Sequence, residues 1–412
     1  MAGGSAAAQV INVVASPVLT RIYGPEAFGV LGVFVAVCAA LVPFAALAYE
    51  QAIVLPRTDD EARAVVRLAM SIALGFSLLV LVVLLVSHGA VAELLNFGAP
   101  SWFLLLIPLA ILVNSVQAIF MQWMVRMKQF KVISATSTGY AAVLNFLRLG
   151  LGLLVPTGSA LVVGNTAGDI SYVGMVLPYV RRGIWGGAES TIPAKKVARD
   201  YRDFPLFRAP EVLLNAVLSS LPAIILSVLF GPVTVGLYTL SLKVLQMPNN
   251  VISGSVGNAF LHRAAKAGHE GEPVRPLLLK TTFALGLIGL VPFGLVAIFG
   301  PWLFRVVFGP EWVAAGQYAR WLTLWGFMYF VNTPAVQTIP LLGLQKEFLV
   351  FGLIASPIRV AALLFGALVL ASGVAAVACF SVAGAFANIV LIAWVVHKSK
   401  TSLRDTLRTE VG

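Results

Sequence analysis

The chain has 412 residues, of which 59% are hydrophobic and 11% charged, and its formal net charge is +11. A mean hydropathy of +0.93 excludes a single water-soluble core, because soluble domains normally carry about 25% charged residues. The chain also lacks the short segments of alternating apolar and polar residues that are typical of membrane β-barrels. We therefore predict an all-α polytopic membrane protein.

Apolar runs of about 20 residues, the length that a bilayer requires, follow one another along the chain. The first run has no basic lead-in, so we do not expect a cleaved signal peptide. We predict twelve transmembrane helices, near residues 3–22, 26–48, 66–87, 101–123, 133–155, 160–180, 211–230, 234–256, 281–300, 319–343, 349–371 and 373–396.

The basic residues predict the orientation, because Lys and Arg near span ends are retained on the cytoplasmic side. If the N-terminus is inside, most of the 28 basic residues lie in cytoplasmic segments, against only Arg21, Arg305 and Arg320 outside. We therefore predict a multi-pass protein of the cytoplasmic (inner) membrane with both termini in the cytoplasm. Insertion alone accounts for this distribution, so we expect a lipid bilayer and no nucleic acid as the partner.

The longest predicted cytoplasmic segment divides the spans into two sets of six. We predict an N-terminal six-helix lobe over residues 1–180, a connector over 181–210, a C-terminal six-helix lobe over 211–396 and a cytoplasmic tail over 397–412. Because six is an even number, both lobes enter the membrane in the same direction. The expected relation between them is a pseudo-two-fold axis along the membrane normal.

A short repeat supports the division into lobes. The letters YGP at residues 23–25, with glycine at 29, recur as FGP at 230–232, with glycine at 236. Parallel duplication of this kind is common in secondary transporters, whose substrate site lies between the repeats near the bilayer midplane. A duplicated pore or an enzyme can share the plan, so the repeat favours transport without proving it.

Amide side chains recur on one side of corresponding spans in both lobes. Polar groups within a membrane must face protein or water, because contact with lipid costs free energy. Each amide on its own fits an interhelical hydrogen bond, worth about 0.6 kcal/mol on average. The set as a whole favours a shared aqueous cavity. The predicted lining residues are Gln9, Asn12, Asn114, Gln117, Asn215, Gln246, Asn249, Asn250, Asn332 and Gln337.

Three cations, Arg148, Lys243 and Arg359, interrupt apolar spans, whereas Asp169 is the clearest acid within a span and Glu50 follows the second span. In one interpretation, which we call the structural alternative, the cations only stabilise the fold: Arg148 pairs with Asp169, and Arg359 extends to a carbonyl group. The excess of buried positive charge instead indicates an anionic substrate, and phosphate is a usual partner of such cations. We predict the three cations as diphosphate-binding residues and the two acids as candidates for proton or sodium coupling.

The first 65 or so residues carry a family resemblance. The stretch SPVLTRIYGPEAFGVLGVF, followed by LAYEQAIVLPRTDDEA, resembles the opening of the Wzx-type polysaccharide-unit flippases of the multidrug, oligosaccharidyl-lipid and polysaccharide exporter superfamily. The rest of the resemblance is one of layout. The matching residues are Arg21, Tyr23, Gly24, Pro25, Glu26, Phe28, Gly29, Tyr49, Glu50, Ala52, Leu55 and Pro56.

The resemblance implies a protein that flips a polyprenyl-diphosphate-linked oligosaccharide to the outer leaflet, for O-antigen (lipopolysaccharide) or exopolysaccharide synthesis. The implied partners are this lipid-linked substrate and the polysaccharide polymerase and chain-length proteins that act after it. Transport without enzymatic activity, and without a bound cofactor, is expected.

An ion gradient must supply the energy, since the chain has no G-x-x-x-x-G-K-[ST] loop for ATP. Two other functions remain open. A multidrug or other small-molecule exporter of the same superfamily would call for acids in its cavity. A membrane-embedded polysaccharide polymerase would carry a sizeable outer loop, whereas the longest predicted outer segment covers only residues 301–318.

Overall fold

The computed structural model describes residues 2–186, 192–249, 252, 254–270 and 272–399. Within these ranges the chain forms α-helices, short 3-10 and π-helical turns and no strand, so the predicted all-α class is confirmed. The chain divides into two compact units, residues 1–236 and 237–412. The sequence analysis divided the chain differently, into two six-helix lobes separated by a connector over residues 181–210. That division stays a prediction.

The first unit contains nine helices among the residues described and the beginning of a tenth. They are α1 (Ala2–Ile22), α2 (Pro25–Ala45), α3 (Tyr49–Ala52), α4 (Asp59–Leu94), α5 (Leu106–Arg126), α6 (Phe130–Leu154), α7 (Gly158–Trp185), α8 (Ala194–Asp200), α9 (Ala209–Phe230) and α10 (Pro232–Pro248). The second unit begins within α10. It continues through α11 (Gly254–His269), α12 (Val274–Phe308), α13 (Val313–Val331), α14 (Thr333–Thr338), α15 (Gln345–Leu368) and α16 (Gly373–Lys398).

Eight helical segments in the described ranges are long and apolar enough to cross a membrane, and they contain α2, α4, α5, α7, α9, α12, α15 and α16. The other four predicted spans coincide with α1, α6, α10 and α13. The predicted plan of twelve transmembrane helices therefore agrees with the structure. The chain is a multi-pass membrane protein.

Two predicted spans differ from the helices that the structure assigns. The eighth span, predicted over 234–256, covers most of α10 and the start of α11, and the tenth, predicted over 319–343, is divided into α13 and α14. Pro334 occupies the first turn of α14, where its missing N–H leaves no bond unmade. The predicted outer segment 301–318 is mostly helical, because α12 continues to Phe308 and α13 starts at Val313.

Side-chain caps define where three of the helices begin. The hydroxyl oxygens of Thr58, Thr157 and Ser372 accept the backbone N–H groups three residues further on, at the starts of α4, α7 and α16. Such caps satisfy N–H groups that have no partner within the helix and are worth about 1 kcal/mol each.

The two copies of the YGP-like repeat meet within the first unit, where α2 and α10 begin. A Cβ atom added to Gly29 would overlap the carbonyl oxygen of Pro232, and one added to Gly236 would overlap the carbonyl oxygen of Pro25. Glycine is therefore required at both positions so that the two backbones can approach. We call this contact the glycine crossing.

Part of the predicted connector lies against the first unit. Helix α8 packs on α4, and the Tyr201 hydroxyl donates a hydrogen bond to a Glu61 carboxylate oxygen at 2.9 Å. The Tyr49 hydroxyl donates to the Ala198 carbonyl oxygen at 3.3 Å. The described residues of the connector are therefore anchored to α3 and α4.

Candidate functional site

Asp169 is the centre of a hydrogen-bond network between α5, α6 and α7, which we call the Asp169 network. The residue is 5% exposed. Its carboxylate oxygens accept bonds from the Tyr140 hydroxyl at 2.7 Å, from Asn165 Nδ2 at 3.1 Å and from Asn114 Nδ2 at 3.4 Å. Gln117 Nε2 donates to its backbone oxygen at 2.8 Å. The predicted residues Asn114, Gln117 and Asp169 are therefore brought together.

Arg148 belongs to the same network, but not in the way that the structural alternative predicted. Its Nη2 donates to Oδ1 of Asn165, the same amide that donates to Asp169. Among the described residues, Arg148 forms no direct ion pair with a carboxylate. The predicted pairing with Asp169 is therefore corrected: Asn165 bridges the cation and the acid, because its amide can both accept and donate.

A cavity of about 240 Å³ lies beside the Asp169 network, between α2, α5 and α7. Asn114, Asn165 and Asp169 line it together with apolar residues of α2. The Asp169 carboxylate is thus buried in protein and still accessible to a small ion. Asn12 plays a different part, because its Oδ1 accepts a 2.8 Å bond from Asn145 Nδ2 and so joins α1 to α6.

A larger cavity, of about 500 Å³, lies within the second unit, and we call it the C-terminal cavity. The end of α10 and helices α13 to α16 contribute its walls. It brings together four predicted residues, Asn249, Asn332, Gln337 and Arg359, with Asn388 of α16. Aromatic side chains, among them Trp325 and Tyr329, complete the lining.

Arg359 is the only charged residue among the described residues that line this cavity. Its guanidinium carbon lies 5.0 Å from the ring centroid of Trp325 and 4.3 Å from that of Phe380, so both rings make cation–π contacts. Nε is buried without a hydrogen-bond partner in the described part of the chain. The structural alternative predicted that Arg359 contacts a carbonyl group. The structure instead places aromatic rings against Arg359, and these offset the positive charge without accepting hydrogen bonds from the guanidinium.

Ser381 of α16 positions Trp325. Its hydroxyl accepts the Trp325 backbone N–H at 3.2 Å and donates to the Trp321 carbonyl oxygen at 2.5 Å, so it is inserted into the hydrogen-bond ladder of α13. Gly384, one turn further along α16, leaves room for both partners. A Cβ atom there would lie 2.6 Å from Trp325 Cδ1 and 2.9 Å from Arg359 Nε.

One amide of the cavity, that of Asn332, has spare hydrogen-bonding capacity. Asn332 is 3% exposed, and its Nδ2 donates to Asn388 Oδ1 at 2.8 Å. Its own Oδ1 is buried and has no partner among the described residues. A buried amide oxygen left without a donor costs free energy, so a ligand hydroxyl at this point would relieve that cost.

The other predicted site residues lie outside the two cavities. Lys243 is half-buried on α10, and Gln9 is half-buried on α1. Asn215 and Gln246 are exposed on α9 and α10. Asn250 lies outside the described residues. For these positions the predicted contact with substrate stays a prediction.

Glu50 lies on α3, beyond the end of the second span. Its Oε2 is buried without a hydrogen-bond partner in the described ranges. Burial raises the pKa of the Glu50 carboxyl, while hydrogen bonds from its own backbone and from Gln51, and the positive charge of Arg208, partly offset the shift. Glu50 therefore takes up a proton more readily than a free glutamate does.

Four residues of these sites were missed by the sequence reasoning: Tyr140, Asn165, Trp325 and Asn388. Asn165 precedes Asp169 by one helical turn, and Tyr140 precedes Arg148 by about two turns, so both shared a helix face with a predicted residue. Trp325 lies about two turns before Asn332, so it too is on the same side as a predicted residue. Asn388 is an isolated amide in an apolar span, and its spacing gave no signal.

The described helices form two units, and each unit contains a cavity that is lined in part by polar residues. The fold is similar to those of solved membrane transporters. A multidrug resistance MATE family transporter, solved in an inward-facing conformation, matches 98% of this chain and 96% of its own with a TM-score of 0.73 at 14% identity. The lipid II flippase MurJ, in an inward closed conformation, matches 96% of this chain and 86% of its own with a TM-score of 0.71 at 13% identity.

The sequence places the chain more narrowly. The family model described as polysaccharide biosynthesis protein matches residues 18–317, and the chain belongs to this family. The amylovoran biosynthesis protein AmsL of Erwinia amylovora is 22% identical over 125 residues, which cover 30% of this chain and 32% of that protein. The chain thus matches about a third of this relative's length. The predicted family resemblance is confirmed.

Proposed function

We propose that the protein is a flippase, which moves a polyprenyl-diphosphate-linked oligosaccharide from the inner to the outer leaflet of the cytoplasmic membrane. Family membership supports a role in polysaccharide biosynthesis, and the fold is similar to those of MurJ and MATE transporters. The observation that carries the proposal is Arg359, a membrane-embedded cation that has no acidic partner among the described residues and faces a polar cavity. An anionic group of the substrate supplies the missing charge.

The proposed cycle is alternating access. The diphosphate and its glycan enter a polar interior from the inner leaflet, and the polyprenyl tail remains in lipid. Moving two negative charges outward across a membrane that is negative inside gains roughly 4.6 kcal/mol at 100 mV. Protein cations that move with the headgroup cancel part of this gain. The flipped unit then passes to a polymerase and chain-length proteins for O-antigen or exopolysaccharide synthesis.

Ion coupling is a second part of the proposal. The Asp169 carboxylate borders the 240 Å³ cavity and accepts three side-chain hydrogen bonds, an arrangement that suits the exchange of a proton or a sodium ion. Replacing Asp169 with Asn should make transport independent of the ion gradient. Unchanged gradient dependence in that variant would assign coupling elsewhere, with Glu50 as the next candidate.

The same acid favours a second candidate function, the export of cationic small molecules, because Asp169 offers a buried negative charge beside a cavity. The two functions predict different phenotypes in a deletion strain. A flippase deletion accumulates a diphosphate-linked oligosaccharide on the inner side of the membrane and loses the surface polysaccharide. An exporter deletion instead becomes more sensitive to cationic drugs.

Lipid extraction from the deletion strain, with complementation, tests the flippase proposal. We expect the wild-type gene to remove the accumulated lipid and Arg359→Gln to leave at least tenfold more of it. Drug sensitivity without accumulation of any lipid-linked sugar would replace the proposal with the exporter. Accumulation of flipped but unpolymerised units would indicate a polymerase.

A further inference from the structure

We propose that the C-terminal cavity is a glycan subsite, which holds one sugar ring of the oligosaccharide with a carboxylate against Arg359. This inference rests on the proposed flippase function and narrows its substrate to an oligosaccharide with an acidic sugar. It assigns to Arg359 a sugar carboxylate in place of the diphosphate.

The size and walls of the cavity suit a sugar ring. Its volume of about 500 Å³ lies within the range of about 300–1,000 Å³ found for small-molecule sites. Trp325, Tyr329, Phe348 and Phe351 line the cavity, and the rings of Trp325 and Tyr329 pack on each other with their centroids 5.6 Å apart. Aromatic side chains in a cavity wall offer apolar surface for the C–H face of a pyranose.

The polar groups of the cavity are of the type that binds hydroxyl groups. Asn249, Asn332, Gln337 and Asn388 carry amides, which both donate and accept hydrogen bonds. The Asn332 oxygen is buried without a partner among the described residues, so a ligand hydroxyl can donate to it. Multiple amides beside aromatic rings suit a polyhydroxylated ring better than a lipid tail, which offers no donor.

The charge of the cavity selects a single oxyanion. Arg359 is the one cation in the described lining, and no acid in that lining neutralises it. A guanidinium binds a carboxylate through two parallel hydrogen bonds. A diphosphate carries more negative charge than one guanidinium balances, and its compact headgroup leaves the amides and rings without partners. A sugar ring that carries a carboxylate contacts the guanidinium, the amides and the aromatic rings at the same time.

Calorimetric titration of the purified full-length protein in nanodiscs tests the assignment. The probes are methyl glucuronide, its neutral counterpart methyl glucoside, and inorganic pyrophosphate as a stand-in for the lipid headgroup. We expect the glucuronide to bind at least tenfold more tightly than the glucoside, and pyrophosphate not to displace it. Arg359→Gln should remove the preference, whereas Lys346→Gln, which removes an exposed cation from the same helix, should leave it intact.

Three outcomes overturn the inference: equal affinity for the two sugars, displacement of the glucuronide by pyrophosphate, or no binding of either sugar. If Arg359→Gln does not fold, Gly384→Ala replaces it, because the added methyl group intrudes between Trp325 and Arg359 while keeping the charge. It should weaken glucuronide binding at least tenfold.

The lipid-extraction experiment is read separately. A protein that flips lipid-linked sugars but does not discriminate between the two probes keeps the proposed function and loses the glycan subsite. A protein that binds glucuronide but whose deletion leaves lipid-linked sugars unchanged keeps the subsite and loses the flippase proposal.

Discussion

Arg148 and Arg359 occupy comparable positions, since each lies on the fifth predicted span of its lobe, on α6 and α15. Their surroundings differ. Arg148 donates to Asn165 within a network that also contains the acid Asp169, whereas Arg359 is covered by Trp325 and Phe380 and opens onto a cavity. Nε of each arginine is buried without a hydrogen-bond partner among the described residues. The difference lies in what surrounds the charge: a network that contains an acid for Arg148, and aromatic rings and a cavity for Arg359.

Magnitudes show why this difference matters. A cation in the middle of a membrane helix costs about 2.5–3.5 kcal/mol even on the lenient insertion scale. Cation–π contacts return about 0.5–2 kcal/mol, so the aromatic rings offset only part of the cost for Arg359. The remaining imbalance is what an anionic ligand removes. We infer that the first unit uses its arginine for structure and the second for binding.

The largest expected effect comes from removing the acid of the first unit. Asp169→Ala leaves the Tyr140 hydroxyl and the Asn165 amide without their charged acceptor and Arg148 without a nearby negative charge. Hydrogen bonds to charged groups are worth about 1.5–3 kcal/mol each, so we expect a loss of about 3–6 kcal/mol, seen as a large fall in the apparent melting temperature in detergent. Asp169→Asn, which keeps the shape and an acceptor oxygen, should lose less. Equal melting temperatures for wild type and Asp169→Ala would contradict the network.

The next effect compares the two arginines directly. Arg148→Gln should lower the melting temperature, because Asn165 loses its donor and the Asp169 charge is no longer offset. Arg359→Gln should leave the melting temperature unchanged or raise it by the equivalent of about 1–2 kcal/mol, because a poorly compensated cation is removed. Flipping should fall at least tenfold in the second variant. A larger loss of stability from Arg359→Gln than from Arg148→Gln would reverse the comparison.

A smaller effect is expected from loosening the aromatic cover of Arg359. Ser381→Ala removes two hydrogen bonds to the α13 backbone, and membrane hydrogen bonds average about 0.6 kcal/mol each. We therefore expect a loss of about 1 kcal/mol and a weaker preference for acidic sugars in the titration. Ser219→Ala, which removes only a bond within α9, is the matched control. Identical behaviour of the two variants would show that Trp325 needs no support from Ser381.

The smallest expected effect is a change in pH dependence at Glu50, outside both cavities. Because burial raises its pKa, the folded protein binds this proton more tightly than the unfolded chain. The associated stability is present below the ordinary glutamate pKa and is lost as the pH rises through the raised pKa. Glu50→Gln cannot lose a proton, so its melting temperature should fall less between pH 5 and about pH 8 than that of the wild type. Parallel curves would mean that Glu50 does not titrate in this window.

Much of the fold was predictable because bilayer thickness sets helix length, so apolar runs indicated where the spans lie, and eight of them are long and apolar enough to cross a membrane in the described ranges. Asp169, Asn114 and Gln117 were each predicted as site residues, because a polar side chain in lipid must face protein or water. The partner itself was harder to predict. Helical spacing relates residues on one helix, whereas the Asn165 bridge and the Trp325 cover depend on which helices become neighbours.

Two features were the least predictable: where helices end, and which of the predicted site residues lie in a cavity. The tenth predicted span is divided next to Pro334, although its hydropathy continues without a break. Lys243 is one of the three predicted cations, but it is not among the described residues that line the two cavities. A charge within an apolar run indicates that burying the residue in the membrane costs free energy. Only the packing of its helix shows which neighbouring groups offset that cost.

The glycine crossing ties the two copies of the repeat to each other. Gly29 faces Pro232 and Gly236 faces Pro25, so each copy of the motif forms the docking surface of the other. A bulkier residue in either copy meets a backbone atom, which no change of rotamer can move aside. An ancestral protein with a single copy of this motif would therefore already have carried the surface needed to pair with a second copy of itself. Gene fusion would then have kept an interface that existed before the two copies were joined.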